Sequence, residues 1–131
     1  MQAPKLLIVD DHQANLETLE AMLANEGYLI HTAKSGKAAI TKAEEIHPDI
    51  ILLDVMMPEM DGYETTRRLR ERERAGAPRI HIIAMTANAM REDRERCLAA
   101  GMDDYLPKPV RREELRAALV RAYEAISGTT S

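Results

Sequence analysis

The sequence predicts an α/β fold, a five-stranded parallel sheet with helices on both faces. Three observations carry that expectation. Short apolar runs alternate along the chain with stretches whose apolar residues recur every three or four positions, the signature of strand and helix in turn. The run Ile50-Ile51-Leu52-Leu53 is apolar throughout, as a strand covered on both faces must be. Aspartates end two of the runs: Asp10 and Asp11 follow Leu6-Leu7-Ile8-Val9, and Asp54 follows Leu53. Ligands of such sheets collect beyond the carboxyl ends of the strands.

Residues 6–9 are the first expected strand. Leu16, Leu19 and Leu23 recur at helical spacing behind it, and Gly27 closes that helix. Residues 28–33 form the second strand. Ser35-Gly36 opens a helix carrying Ala39, Ile40 and Ala43, with Pro48 beyond its end. Residues 50–53 are the third strand. The third helix covers 63–74 and is stopped by Gly76 and Pro78. Strand four covers 80–85, and helix four covers 90–100 with Gly101 as its cap. A short fifth strand at 105–106 precedes a helix over 112–125, with Leu115, Leu119, Ala122 and Ile126 on one face. Residues 1–126 therefore read as one domain and 127–131 as a frayed tail.

Composition narrows the function. The chain has 131 residues, 45% of them hydrophobic, which suits one domain with a substantial core. A net charge of −4 argues against a broad nucleic-acid or anionic-membrane surface. No apolar run approaches the ~20 residues of a membrane span, and residues 1–4 lack the regions of a signal peptide. The single cysteine, Cys97, excludes an internal disulfide and reads as core filler. The expected compartment is the cytoplasm.

The aspartates carry the chemistry. On parallel strands, Asp10, Asp11 and Asp54 converge at one sheet edge, where like charges repel and lose hydration. A hard cation offsets that cost, which points to Mg²⁺ and so to phosphate. Thr86 and Lys108 stand at the same edge, after the fourth and fifth strands.

In this order and on these elements, Val9-Asp10-Asp11, the segment Leu53-Asp54-Val55-Met56-Met57-Pro58-Glu59-Met60-Asp61-Gly62, Met85-Thr86-Ala87, and Asp103-Asp104-Tyr105-Leu106-Pro107-Lys108-Pro109 resemble the receiver domain of two-component response regulators. The resemblance spans residues 5–125. It implies a doubly wound, flavodoxin-like (βα)5 fold with strand order 2-1-3-4-5. It implies that Asp54 is the phosphoacceptor, attacking the phosphorus of a phosphohistidine to give an acyl phosphate. By the same resemblance Asp10, Asp11, Asp54 and the Met56 carbonyl serve Mg²⁺ (or Mn²⁺), with Asp10 acting through water. Lys108 contacts a phosphoryl oxygen, and Thr86 donates its hydroxyl to another. The small Ala87 leaves room above Asp54. The peptide before Pro109 is commonly cis in this family, which would aim Lys108 inward. Gly62 is expected to need a conformation that strains a side chain, and Asp61 to cap the third helix.

The resemblance further implies an output path. Thr86 moves toward the phosphoryl group, Tyr105 turns inward, and the surface of the fourth helix, fifth strand and fifth helix changes. Met56 and Asn88 hold positions that influence hydrolysis of the acyl phosphate, and a methionine there predicts slow loss. Implied partners are a histidine kinase or a histidine phosphotransfer domain and a downstream protein target, with neither nucleic acid nor membrane, the receiver being a monomer or weak dimer. No output domain is expected after the fifth helix, so the chain reads as a single-domain regulator or as the receiver of a hybrid histidine kinase, whose wording around Thr86 and Asp103 is similar. The resemblance implies a self-phosphorylating signalling domain rather than a turnover enzyme.

Other readings follow from particular residues. Arg67, Arg68, Arg70, Arg72 and Arg74 among Glu64, Glu71 and Glu73 read as a solvated, ion-paired face rather than a nucleic-acid helix. His12, His31, His47 and His81 lack metal-ligand spacing; His12 either meets the phosphodonor or begins the first helix. Met90 and Met102 read as core filler, or as partner surface if exposed. An aspartyl-nucleophile phosphatase would need an acid two residues after Asp54, where Met56 stands. A flavin module would place phosphate against Asp10-Asp11. A phosphorylation-independent binding module is the remaining alternative.

Overall fold

The computed structural model describes residues 3–87 and 91–127. The expectations for Asn88, Met90 and residues 128–131 lie outside them. Five strands, β1 (Lys5–Val9), β2 (Leu29–Ala33), β3 (Ile50–Asp54), β4 (His81–Thr86) and β5 (Asp104–Pro107), alternate with α1 (Gln13–Leu23), α2 (Gly36–Ile46), α3 (Gly62–Arg74), α4 (Arg91–Ala100) and α5 (Arg112–Ser127). All pairings are parallel, in the order β2-β1-β3-β4-β5. The architecture and strand order match expectation, and element ends move by one or two residues. The fifth helix runs on to Ser127, where a tail was expected to begin.

Strand alternation builds two cores from one sheet. Leu7, Val9, Ile51, Leu53, Ile82 and Ala84 face α2, α3 and α4, where Ala39, Ala43, Leu69 and Cys97 meet them. Leu6, Ile8, Ile50, Leu52, Ile83 and Met85 face α1 and α5, against Leu16, Leu19, Leu23, Leu115 and Leu119. Every residue of β3 and β4 is buried, so the central strands stay fixed while their carboxyl ends carry polar groups. Cys97 and Met102 are core filler, as expected.

Helix ends follow local chemistry with two departures. The Ser35 hydroxyl accepts the Ala38 amide and caps α2, and His47 ends that helix in a left-handed turn. Asp61 caps α3 through Glu64 N. Gly27, expected to close α1, lies past the helix end: Ala24 is the cap and Asn25 takes the left-handed turn at φ 68°. Arg70 is not part of a solvated face. Only 11% exposed, it donates to the Gly101 and Ile80 carbonyls and pairs with Glu73 at 2.6 Å and Asp103 at 2.7 Å. Arg68–Glu64 does form an expected surface pair, and Arg72 pairs instead with Glu44 of α2.

Candidate functional site

Four strands deliver the site. Register sets Val9 beside Leu53 and Asp54 beside Met85, so Asp10, Asp54 and Thr86 emerge at one edge. β5 ends one residue before Lys108, whose amide donates to the Thr86 carbonyl at 2.7 Å. The Lys108–Pro109 peptide is cis, as the resemblance implied.

Asp10 has no solvent exposure. Its carboxylate accepts from His12 N at 2.9 Å and from the Asn15 amide at 3.2 Å. Asp54, 2% exposed, accepts from Met56 N at 3.3 Å. Lys108 Nζ joins the two, 3.0 Å from Asp54 Oδ1 and 3.4 Å from Asp10 Oδ2. Burial holds the Asp54 carboxyl above its usual range; Lys108 opposes the shift and the Asp10 charge adds to it. Burial alone would lower the Lys108 ammonium, but its hydrogen bond and charge contacts with Asp54, and with Asp10, raise it. The ammonium is thus a fixed positive charge facing two buried acids.

Asp11 sits in a different relation. Its Oδ1 is out of solvent and accepts no hydrogen bond, although His12 Nδ1 lies 3.1 Å away. Among the described residues, the three acidic or imidazole groups with ligating atoms all within 4.8 Å of one another are Asp10, Asp11 and His12. Asp54 stands beside this cluster, tied to it through Lys108. His12 itself begins α1 as its N-cap residue, one of the two expectations for it.

The loop after Asp54 is shaped by contact. Gly62 does not adopt the strained backbone expected of it. It is required by proximity: a Cβ there would lie 2.7 Å from the Asp54 carbonyl oxygen and 2.9 Å from Val55 Cα. The Met56 side chain is 72% exposed at the mouth of the site. Thr86 is buried, and Tyr105 is half-buried against the α2–α4 core, its hydroxyl 3.5 Å from Arg94 of α4. A groove of about 510 Å³ leads away from Asp10 and Lys108 over Leu19, Met22, Pro109 and Val110.

Sequence reasoning missed Asn15, which orients Asp10 from the first turn of α1. Its only signal was an amide five residues past an acid.

Residues 6–120 match the family described as response regulator receiver domain. The chain belongs to the response regulator receiver family. This receiver is 41% identical over 116 residues to hybrid signal transduction histidine kinase L of Dictyostelium discoideum, covering 86% of this chain and 7% of that protein. It is 40% identical over 121 residues to the sensor histidine kinase RcsC of Escherichia coli K12, covering 92% of this chain and 12% of that protein. The receiver therefore spans a small part of these curated relatives. Among solved structures, the receiver domain of the sensor histidine kinase PA1611 from Pseudomonas aeruginosa, with magnesium coordinated in its active-site cleft, is 44% identical at a TM-score of 0.80, covering 91% of this chain and 96% of that one. The chemotaxis protein CheY4 of Vibrio cholerae is 31% identical at a TM-score of 0.82, covering 93% and 99%.

The carboxylates of this receiver suit a hard divalent cation. Asp11 offers a desolvated oxygen with no hydrogen bond, beside the fully buried Asp10. Among the described residues, no helix is long and apolar enough to cross a membrane.

Proposed function

We propose that this receiver accepts a phosphoryl group on Asp54 from a phosphohistidine of a histidine kinase or histidine phosphotransfer domain. The observation that carries the reading is Lys108 Nζ between Asp54 Oδ1 at 3.0 Å and Asp10 Oδ2 at 3.4 Å, a convergence of β1, β3 and the β5 loop. Asp54 Oδ attacks phosphorus, the P–N bond of the donor breaks, and its imidazole leaves with the electron pair. The product is an acyl phosphate. Asp10, Asp11, Asp54 and the Met56 carbonyl would hold Mg²⁺, which supplies charge neutralisation of the transferring group. Asn15 and His12 N fix Asp10. Lys108 releases Asp54 and follows the new phosphoryl oxygen, on which it sits as a compact charge. Burial keeps bulk water from the acyl phosphate. The apolar flank of Met22, Pro109 and Val110 gives the donor protein a surface beside the reacting carboxylate.

Nearly two added charges and new acceptor oxygens then favour one of two packings. Thr86 turns its hydroxyl to the phosphoryl group, Tyr105 moves inward from Arg94, and the α4-β5-α5 surface changes for a downstream protein. Incubation with Mg²⁺ and acetyl phosphate followed by intact-mass measurement tests the reading. One added phosphate is expected, and Asp54→Asn abolishes it. A native chain that stays unmodified, or an Asp54→Asn chain modified as fully as native, overturns it.

A further inference from the structure

We propose that His12 is a nitrogen ligand of an ion held with Asp10 and Asp11, beside Asp54 rather than on it, so that this receiver takes imidazole-seeking divalent ions such as Ni²⁺ and Co²⁺ more tightly than its carboxylates alone would allow. The inference rests on the reading of Asp10 and Asp11 as metal-binding groups and concerns which ion they select.

His12 holds the N-cap position of α1, with φ −104° and ψ 118°. Side chains at that position ordinarily accept an amide of the first helical turn, which is why Ser, Thr, Asp and Asn prevail there. The His12 ring makes no such bond. It turns back instead, placing Nδ1 3.1 Å from Asp11 Oδ1 and 3.5 Å from Asp10 Oδ1. The side chain is 69% exposed, so burial does not account for the placement. Asp11 Oδ1 faces that nitrogen without a hydrogen bond between them. Two ligands at right angles on an ion with bonds of ~2.1 Å stand ~3 Å apart. The observed 3.1 Å is that spacing. Mg²⁺ selects oxygen and retains water, so it would use the carboxylates and leave the ring aside. Ni²⁺ and Co²⁺ favour imidazole and bind N/O sites more strongly along the divalent series.

Calorimetric titration of the full chain with Mg²⁺ and with Ni²⁺ tests the assignment in native protein, His12→Asn and Asp11→Asn. Asparagine is a good N-cap residue, so the first variant keeps the start of α1. The native protein is expected to bind Ni²⁺ more tightly than Mg²⁺. His12→Asn should weaken Ni²⁺ by ~10-fold or more and leave Mg²⁺ affinity unchanged. Asp11→Asn should weaken both, tying the signal to this site rather than to His31 or His47. In the Co²⁺-loaded protein, a paramagnetically shifted imidazole N–H resonance should appear and vanish in His12→Asn. Equal changes for both ions in His12→Asn, or a Co²⁺ spectrum without that resonance, overturn the proposal. If His12 merely pairs with Asp11, His12→Asn raises both affinities together, which also sinks it. Native protein that binds Mg²⁺ without a nickel preference defeats the His12 assignment alone, and one that binds Ni²⁺ but no Mg²⁺ defeats the magnesium-dependent reading instead.

Discussion

At the scale of single residues, the site is set by what touches Asp54. Met56 follows it by two positions with an exposed, apolar side chain that cannot orient an attacking water. Met56→Asn should therefore lose the acyl phosphate several-fold faster, read as the decay of the phosphorylated mass; equal decay in both proteins counts against shielding by the thioether. Gly62→Ala would drive a methyl into the backbone of Asp54 and Val55, where no flexible side chain can yield. It should destabilise by about 1–3 kcal/mol in urea unfolding, the usual cost of an overpacked contact. The places of Asp10, Asp54 and Thr86 were legible in the sequence because each directly follows an apolar run, with Asp11 next to Asp10 and Lys108 two residues past the short run Tyr105-Leu106. The reason for Gly62 was not legible. A glycine needed for close approach and one needed for backbone conformation look alike until the neighbouring loop is placed.

At the scale of elements, the arginines of α3 show where charge patterning misleads. A helix rich in both signs reads as solvated, yet Arg70 reaches across to Ile80 and Asp103, the residues just before β4 and β5. Arg70 and Arg79 both meet Asp103, whose carboxylate also accepts Ile82 N at 2.9 Å. Nothing local in the sequence marks Arg70 apart from its neighbours, because its partner Asp103 is 33 residues away. Burial alone would raise the Asp103 carboxyl, but Arg79, the Ile82 amide and Arg70 hold it below the usual range. A depressed folded value gives stability that is present above the unfolded pKa of ~3.9 and is lost as pH falls through the folded value. Native protein should thus show a loss of stability below about pH 4 that Asp103→Asn lacks, its own stability being lower at neutral pH. Parallel pH profiles of the two midpoints would contradict this.

At the scale of the whole molecule, two cores on one sheet hold the carboxyl-edge groups on buried strands, so a ligand that binds there stabilises the entire domain. Mg²⁺ at about 100 times its Kd should add ~2.7 kcal/mol and raise Tm by roughly 10 °C, with a smaller rise at the same Mg²⁺ concentration in Asp11→Asn. Element order and layers were readable in advance because periodicity survives in the longer elements, whereas the strand order came from the family resemblance alone. The short β5 was underestimated because four residues carry too little pattern. In the proposed switch the output face depends on Tyr105, which is half-buried and close to Arg94. Tyr105→Phe should change affinity of the phosphorylated chain for its downstream partner more than it changes unfolding stability, and unchanged partner affinity would argue that the ring does not report the phosphorylation state.

The 2.7 Å bond from Lys108 N to the Thr86 carbonyl links two of the site's strands through main chain. A rearrangement that separates those strands breaks this bond and opens the amide to exchange. The sequence contains no tryptophan, so intrinsic indole fluorescence cannot follow the transition. Deuterium uptake at the Lys108 amide offers a native, label-free gauge of it, seated within the machinery it monitors.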